Sequence, residues 1–426
     1  MRRPMPTRRR PMAADERPLA NAAWLRAAAT RRVLEALAAG DAPVRFVGGC
    51  VRDTLLDPGL DTVDLDLATP LPPERTIELL DAAGIRTVPT GIAHGTITAL
   101  ADGRDYEITT LRQDVATDGR RAVVAFTDCF LADAARRDFT INAMSCDAAG
   151  RLFDPFAGRA DLAAGRIRFV GEPIARIRED YLRILRFFRF FARLGRERPA
   201  AATLDALAHE RRGLERLSGE RLRAELLKLL AGANVAASLR LMAETGVWQA
   251  IFGAPPRLDR FARLQKLAPE ADPILGLAAL IRGAVDTAAI ALRLRLANRE
   301  RDRLVDLTTA ELPALDHPAV ELRRLAYQLG KDRLTDRLRL AAAETDAPAA
   351  GLAPLLKTAL ATLAAFRVPR LPVGGRDLVA LGLPPGPALG RVLRHLEAAW
   401  IASDFTADRD ALLALAADAA SVGDEA

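Results

Sequence analysis

The chain has 426 residues, half of them hydrophobic, with 61 basic against 55 acidic side chains and a formal net charge of +6. That length exceeds one ordinary core and predicts two to four structural units, and the apolar half excludes a disordered chain. No run of about 18 or more uninterrupted apolar residues occurs, which excludes a helical membrane span.

Met1–Met12 carries Arg2, Arg3, Arg8, Arg9 and Arg10 without an apolar stretch, so residues 1–20 are expected to be a disordered basic tail and not a secretory signal. A helix is predicted over residues 20–40, with Leu25, Val33, Leu34 and Leu37 as its apolar side. Val44–Val47 is a short β-type run that ends in Gly48-Gly49, and Val63–Leu67 alternates apolar residues with acids. Gly95–Leu100 and Asp105–Leu111 are β-rich runs separated by Ala101-Asp102-Gly103-Arg104, a hairpin signal. Val123–Phe126 is a further candidate strand. Residues 41–150 therefore read as a small α+β domain on a mostly antiparallel sheet. After about residue 172 the β signal ends. Helices are predicted over Glu179–Leu194 and over Gly219–Leu230, the second opening at Ser218 as N-cap. Leu/Ala/Arg amphipathic segments follow to about residue 350. Pro255-Pro256 and the Pro/Gly cluster Val373–Pro387 punctuate the later part, and no fixed-period repeat is visible.

Chemistry concentrates in Gly48-Gly49-Cys50-Val51-Arg52-Asp53 and Asp61-Thr62-Val63-Asp64-Leu65-Asp66. Asp64 and Asp66 are two apart on a predicted strand, so both carboxylates face the same side. Two convergent carboxylates leave coordination positions for water and phosphate oxygens, which is how Mg2+ is held at phosphoryl-transfer sites. The glycine pair lets backbone N–H groups approach a triphosphate, and Arg52 is suited to neutralising it. No Gly-Lys-Ser/Thr follows, so this is not a Walker A loop. Glu107 is a candidate third acid on the strand after the hairpin, with a structural role beside Arg112 equally open. Cys50, Cys129 and Cys146 have neither disulfide nor zinc spacing, which fits a reducing cytoplasm, and four scattered histidines offer no metal site.

The ordered series GGCVRD, DLDLAT, HGTITAL, YEITTLRQDVATDGR, ARRDFTINAM, DPFAG and REDYLRILRFFRF, across roughly residues 44–230, resembles the class II CCA-adding enzyme and bacterial poly(A) polymerase family. That resemblance implies a polymerase β-like nucleotidyltransferase head at 21–150, then an all-α neck at 151–230, body at 231–350 and RNA-binding tail at 351–426. It implies metal binding by Asp64 and Asp66. It implies nucleotide contacts from Gly48, Gly49, Arg52, Arg136, Arg137, Asp138, Asn142, Asp180, Arg183, Arg186 and Arg189, with the Arg136-Arg137-Asp138 run meeting the ribose. Asp180 and Arg183, expected at i and i+3 of one helix, would share a face and read the base without a template. Cytosine and adenine pair an amino donor with a ring-nitrogen acceptor, and uracil and guanine offer the reverse. Phe187, Phe188, Phe190 and Phe191 are expected in the core, Glu220 and Glu225 as structural, and Ile177, where relatives often carry an aromatic, as a packing difference only. The implied activity is CCA addition to the 3′ end of tRNA from CTP and ATP with Mg2+, away from any membrane. CC-only, A-only or poly(A) addition are the near alternatives, and a non-catalytic RNA-binding protein is the distant one.

Overall fold

The computed structural model describes residues 17–60, 64–117 and 122–422. Residues 1–16 of the basic tail expected over residues 1–20, and Asp61, Thr62 and Val63 of the acidic run, lie outside them; residues 17–20 belong to the fold and not to a tail, because Leu19 is fully buried and its N–H donates to the Gly150 carbonyl at 3.4 Å. The chain divides into two compact units, one of residues 1–256 with Leu292–Arg295, the other of Arg257–Ala291 with residues 296–426.

The first unit holds all the strands of the described residues: β1 (Arg45–Val47), β2 (Leu65–Thr69), β3 (Arg86–Gly91), β4 (Thr96–Ala101), β5 (Arg104–Thr110), β6 (Arg112–Thr117), β7 (Ala122–Phe126), β8 (Ser145–Cys146) and β9 (Leu152–Phe153). Seven form one sheet in the order β3-β4-β5-β2-β1-β8-β9, and β6 and β7 form a separate hairpin. All neighbours are antiparallel except β2 and β5, which run parallel. The β4–β5 turn is the expected one: Asp102 and Gly103 both have positive φ, 49° and 76°, the two-residue geometry whose twist matches paired strands.

Alternation decides what each face does. Leu65 and Leu67 of β2 are buried, as are Tyr106 and Ile108 of β5. Asp66 and Glu107 point to the opposite face, directly beside each other in the parallel register. The predicted helix over 20–40 is two helices, Ala23–Arg26 and Ala28–Ala38, because Ala27 is extended between them. The indole of Trp24 donates to Thr54 Oγ1 at 2.8 Å, which ties this pair to the helix Gly49–Leu56.

The predicted helix over Glu179–Leu194 is likewise two, Pro173–Glu179 and Leu182–Leu194. Asp180 is extended (φ −154°), and its carboxylate Oδ1 accepts the N–H of Leu182 at 3.1 Å, a side-chain contact that starts a new helix in place of continuing the old one. Asp180 and Arg183 therefore do not share one helix, which corrects the expectation of an i, i+3 pair. All four expected phenylalanines are buried. Phe187 stacks on Phe169 and meets Phe139, so the helix Leu182–Leu194 is cemented by aromatic contacts to the segment that follows the sheet. Ile177 is fully buried. Gly219–Leu230 forms as predicted, although Ser218 makes no side-chain cap.

The second unit is all helical among its described residues. Its cores gather Leu322, Leu334, Leu338, Leu356 and Leu363 in one cluster and Leu378, Leu396, Trp400 and Leu412 in another. Asp272 caps the helix Pro273–Ile281 by accepting from the N–H groups of Ile274 and Leu275 at 3.0 Å each. No helix among the described residues is long and apolar enough to cross a membrane.

Candidate active site

A cavity of about 850 Å³ opens within the first unit, between the outward face of β2 and β5 and the helices Leu182–Leu194 and Gly219–Leu230. Every nucleotide-contacting and metal-binding residue expected from the sequence lines it, namely Gly48, Gly49, Arg52, Asp64, Asp66, Glu107, Arg136, Arg137, Asp138, Asn142, Asp180, Arg183, Arg186 and Arg189.

One edge is acidic. Asp64 stands exposed just before β2, one residue outside the strand that was expected to include it, and Asp66 lies on the strand. Burial raises the Asp66 carboxyl, Glu107 raises it further, Arg137 opposes and Asp64 adds to the rise, leaving it at about 6. Among the described residues no three of His, Cys, Asp and Glu are gathered closely enough to hold an ion by themselves. The donors are nevertheless all carboxylate oxygens under mutual repulsion. That set fits a hard divalent cation whose other ligands are water and phosphate oxygens.

The floor is the glycine turn. Gly48 has φ +71° and ψ −120°, a backbone that side-chain-bearing residues avoid, and the helix Gly49–Leu56 begins immediately after it. A Cβ on Gly48 would lie 3.2 Å from Arg137 Nη1. The free N–H groups of a helix start therefore open into the cavity beside a guanidinium, a setting for anionic oxygens. Arg52 is nearly buried and already engaged. Its Nε and Nη2 hold Asp53 at 2.8 Å each and its Nη1 holds Asn142 Oδ1 at 2.5 Å. It frames the turn, with three of its five N–H groups committed to protein.

The far wall is a series of matched pairs. Asp138 Oδ1 accepts from Asn142 Nδ2 at 3.0 Å and Oδ2 from Arg186 at 2.6 Å. Burial pushes the Asp138 carboxyl up, but Arg186, Asn142 and Arg183 outweigh it and hold it below the ordinary carboxylate range. Arg189 Nε holds Glu225 Oε2 at 2.6 Å, with Arg186 Nη1 also 3.8 Å from that carboxylate, so Glu225 is structural as expected. Glu220 pairs instead with exposed Arg295. Arg193, on the same helix as Arg186 and Arg189, pairs with Asp53 at 3.2 Å and does not line the cavity. Phe190 lines it with the guanidinium of Arg189 4.2 Å from its ring centre.

Arg183 reaches the cavity from the first turn of its helix. Its Nη1 donates to Glu179 Oε2 at 2.5 Å and to the Arg176 carbonyl at 3.0 Å, and its Nη2 to the Arg136 carbonyl at 2.9 Å. Asp180 Oδ2 accepts from Arg221 Nη2 at 2.6 Å. Three charged lining residues, Arg112, Arg221 and Lys228, were not singled out from the sequence as site residues. Arg221 and Lys228 sit seven apart on the helix Gly219–Leu230, two turns along one face, a spacing that was readable. Cys50 and Cys146 are buried free thiols. Burial, with Asp66 adding to it, pushes Cys50 up to about 12, which leaves it inert.

A carboxylate-edged cavity on a small mixed sheet, walled by arginines and backed by helices, defines a nucleotidyl-transfer centre. The comparisons with known proteins agree. Residues 44–168 match the family model for the poly A polymerase head domain, and residues 198–261 match that for the probable RNA and SrmB- binding site of polymerase A. The mouse mitochondrial CCA tRNA nucleotidyltransferase 1 is 36% identical over 384 residues, covering 87% of this chain and 85% of the mouse protein. The CCA-adding enzyme of Levilactobacillus brevis is 33% identical, covering 91% of this chain and 97% of its own. The crystal structure of the Bacillus stearothermophilus CCA-adding enzyme in complex with CTP superposes with a TM-score of 0.71 at 29% identity, covering 92% of this chain and 97% of that one. The chain belongs to the family of CCA-adding tRNA nucleotidyltransferases. Membership carries the family's general dependence on a divalent cation.

Proposed function

We propose that this protein adds C, C and A in turn to the 3′ end of tRNA, taking CTP and ATP as donors and Mg2+ as its metal, in a cytoplasmic setting. The observation that carries the reading is one cavity that holds both an acidic edge, Asp64, Asp66 and Glu107, and the Asp180–Arg183 pair. Similarity to CCA-adding enzymes along most of the chain supports it.

In this reading the RNA 3′-OH loses its proton to solvent and its oxygen attacks the α-phosphorus of the bound nucleotide, a new P–O bond forms, the α–β phosphoanhydride bond breaks, and pyrophosphate leaves. Asp64 and Asp66 hold the metal, with Glu107 beside them. A bound divalent ion supplies positive charge that makes the 3′-OH easier to deprotonate and the triphosphate easier to part. Gly49 presents its backbone N–H to the phosphates, Gly48, whose own N–H donates to the Met144 carbonyl at 3.3 Å, shapes the turn, and Arg137, between Gly48 and Asp66, adds charge there. Arg186 and Asn142 keep Asp138 ionised as an acceptor for a ribose hydroxyl.

Asp180 and Arg183 supply one acceptor and one donor for the base edge. Arg221 and the backbone carbonyls hold them in place before any nucleotide arrives, so they discriminate without an RNA template. We assign the head to residues 21–150, the neck to 151–230, the body to 231–350 and an RNA-holding tail to 351–426, with arginines meeting phosphate and A-form shape.

The test is incorporation by the purified protein on tRNA ending before CCA, with Mg2+ and each labelled nucleotide singly and in pairs, resolved at single-nucleotide length. Addition that stops after C, C and A is the expected result. A product of CC alone, of A alone, or a long A ladder keeps the chemistry and overturns the CCA assignment. Salt-sensitive tRNA binding without incorporation makes the protein an RNA-binding relative.

A further inference from the structure

Asp133 lies outside the cavity, yet it is attached to two of the residues that line it. It sits on the helix Phe130–Ala135 with its side chain almost wholly buried. One carboxylate oxygen, Oδ1, accepts from Arg136 Nε at 3.0 Å and faces the Arg112 N–H at 3.4 Å. The other, Oδ2, accepts from Arg137 Nε at 3.3 Å and Nη2 at 3.0 Å. A single buried anion thus divides its two oxygens between adjacent guanidiniums, both charge-assisted and one of them a two-point grip.

The consequence for each arginine can be followed. Arg136 Nε also donates to the Arg112 carbonyl at 3.0 Å, so this guanidinium is held at its base between two acceptors. Arg137 is turned the other way: its Nη1 reaches the Asn142 carbonyl at 3.5 Å and stands over the glycine turn. Its charge is also felt at Asp66, so it lies between the phosphate-facing turn and the metal-facing acids. A long arginine side chain left free would lose rotamer entropy on being fixed by a ligand. Here that ordering is done in the empty protein. The same segment is also fastened from behind, because Arg176 Nη1 donates to the Ala135 carbonyl at 3.0 Å and Arg183 Nη2 to the Arg136 carbonyl at 2.9 Å.

We propose that Asp133 is the positioning residue of the nucleotide site: it aims Arg136 and Arg137 at the triphosphate–ribose end of the incoming nucleotide and so sets nucleotide affinity, without touching the nucleotide itself. This rests on the reading of those two arginines as nucleotide contacts. Loss of the carboxylate charge frees both guanidiniums and leaves the acids at the metal edge in place, so the effect falls on KM more than on kcat.

The experiment measures CTP incorporation into tRNA lacking CCA, and equilibrium CTP binding by calorimetry. The proteins are the full chain, Asp133→Asn, Asp133→Glu, the double variant Arg136→Ala/Arg137→Ala, and the triple variant with Asp133→Asn added. Thermal melting of each establishes folding. The expected result is a KM and Kd for CTP raised tenfold or more in Asp133→Asn with a smaller change in kcat. Asp133→Glu should recover at least half of that loss on a logarithmic scale, and Asp133→Asn should have no added effect once both arginines are gone. An unchanged KM in a folded Asp133→Asn protein overturns the proposal. So does a loss that persists at full size in the arginine-free background, which would mark Asp133 as a general stabiliser. If the parent protein binds CTP but does not incorporate it, the proposed function fails while the binding series still decides the role of Asp133. If it binds neither CTP nor ATP, both fail.

Discussion

The two sides of the cavity are built on opposite electrostatic plans. On the acidic edge, Asp66 stands near the like charges of Glu107 and Asp64, and it is held at about 6 by burial and by those neighbours. On the arginine wall seven guanidiniums are matched to carboxylates: Arg52 has Asp53, Arg136 and Arg137 share Asp133, Arg183 has Glu179, Arg186 has Asp138, Arg189 has Glu225 and Arg221 has Asp180. The first side carries repulsion that a cation relieves. The second is satisfied before substrate arrives and has little left to reorganise. The difference teaches that one surface is arranged to capture charge and the other to hold a shape, which is the division of labour nucleotidyl transfer requires.

The comparison breaks most visibly at the acids. Asp64→Ala or Asp66→Ala should lower nucleotide incorporation by roughly a thousandfold or more, with tRNA binding and melting intact. Near-parent rates in either purified variant would remove these residues from the chemistry. On the wall, Asp180→Ala or Arg183→Ala should cut the preference for CTP over UTP by about ten- to a hundredfold, with a smaller effect on the rate of CTP addition. Unchanged discrimination would sink the idea that protein reads the base.

Stability sharpens the contrast further. The folded-state pKa of Asp66 lies above the unfolded carboxylate value, so the folded protein binds the proton more tightly and this site costs stability as pH rises from about 4 to about 6. Asp66→Asn should therefore stabilise the metal-free protein at neutral pH by on the order of 1–3 kcal/mol, a gain that disappears near pH 4. Melting with and without Mg2+ checks it: the ion should stabilise the parent more than the variant. At the small end, Arg295→Ala removes the exposed pair with Glu220 and should leave the melting temperature nearly unchanged, with nucleotide addition unaltered.

What the sequence disclosed follows the range of the interactions involved. The Asp102-Gly103 turn, the Gly48-Gly49 turn and the helix Gly219–Leu230 are set by neighbours in the chain, and each was readable from a few residues. The parallel pairing of β2 with β5, which puts Glu107 beside Asp66, joins strands separated by two others, and no local pattern specifies it. The break at Asp180 was hidden because Glu179–Leu194 has helical composition throughout. Only the Asp180 carboxylate accepting the Leu182 N–H shows why the chain bends. Asp133 precedes the arginine pair by three residues and resembles an ordinary surface helix acid. Its burial, which gives it its grip, comes from tertiary packing.

Gly48 has a consequence for how the sequence can drift. Two independent constraints meet at that position: a backbone at φ +71° and ψ −120° that disfavours any side chain, and a Cβ that would force Arg137 to give by a few tenths of an ångström while Asp133 pins it. Shortening Arg137 would remove the second and leave the first, and relaxing the turn would do the reverse. A substitution at Gly48 therefore has no single compensating partner elsewhere in the chain, because it needs a relaxed turn and a displaced Arg137 at once.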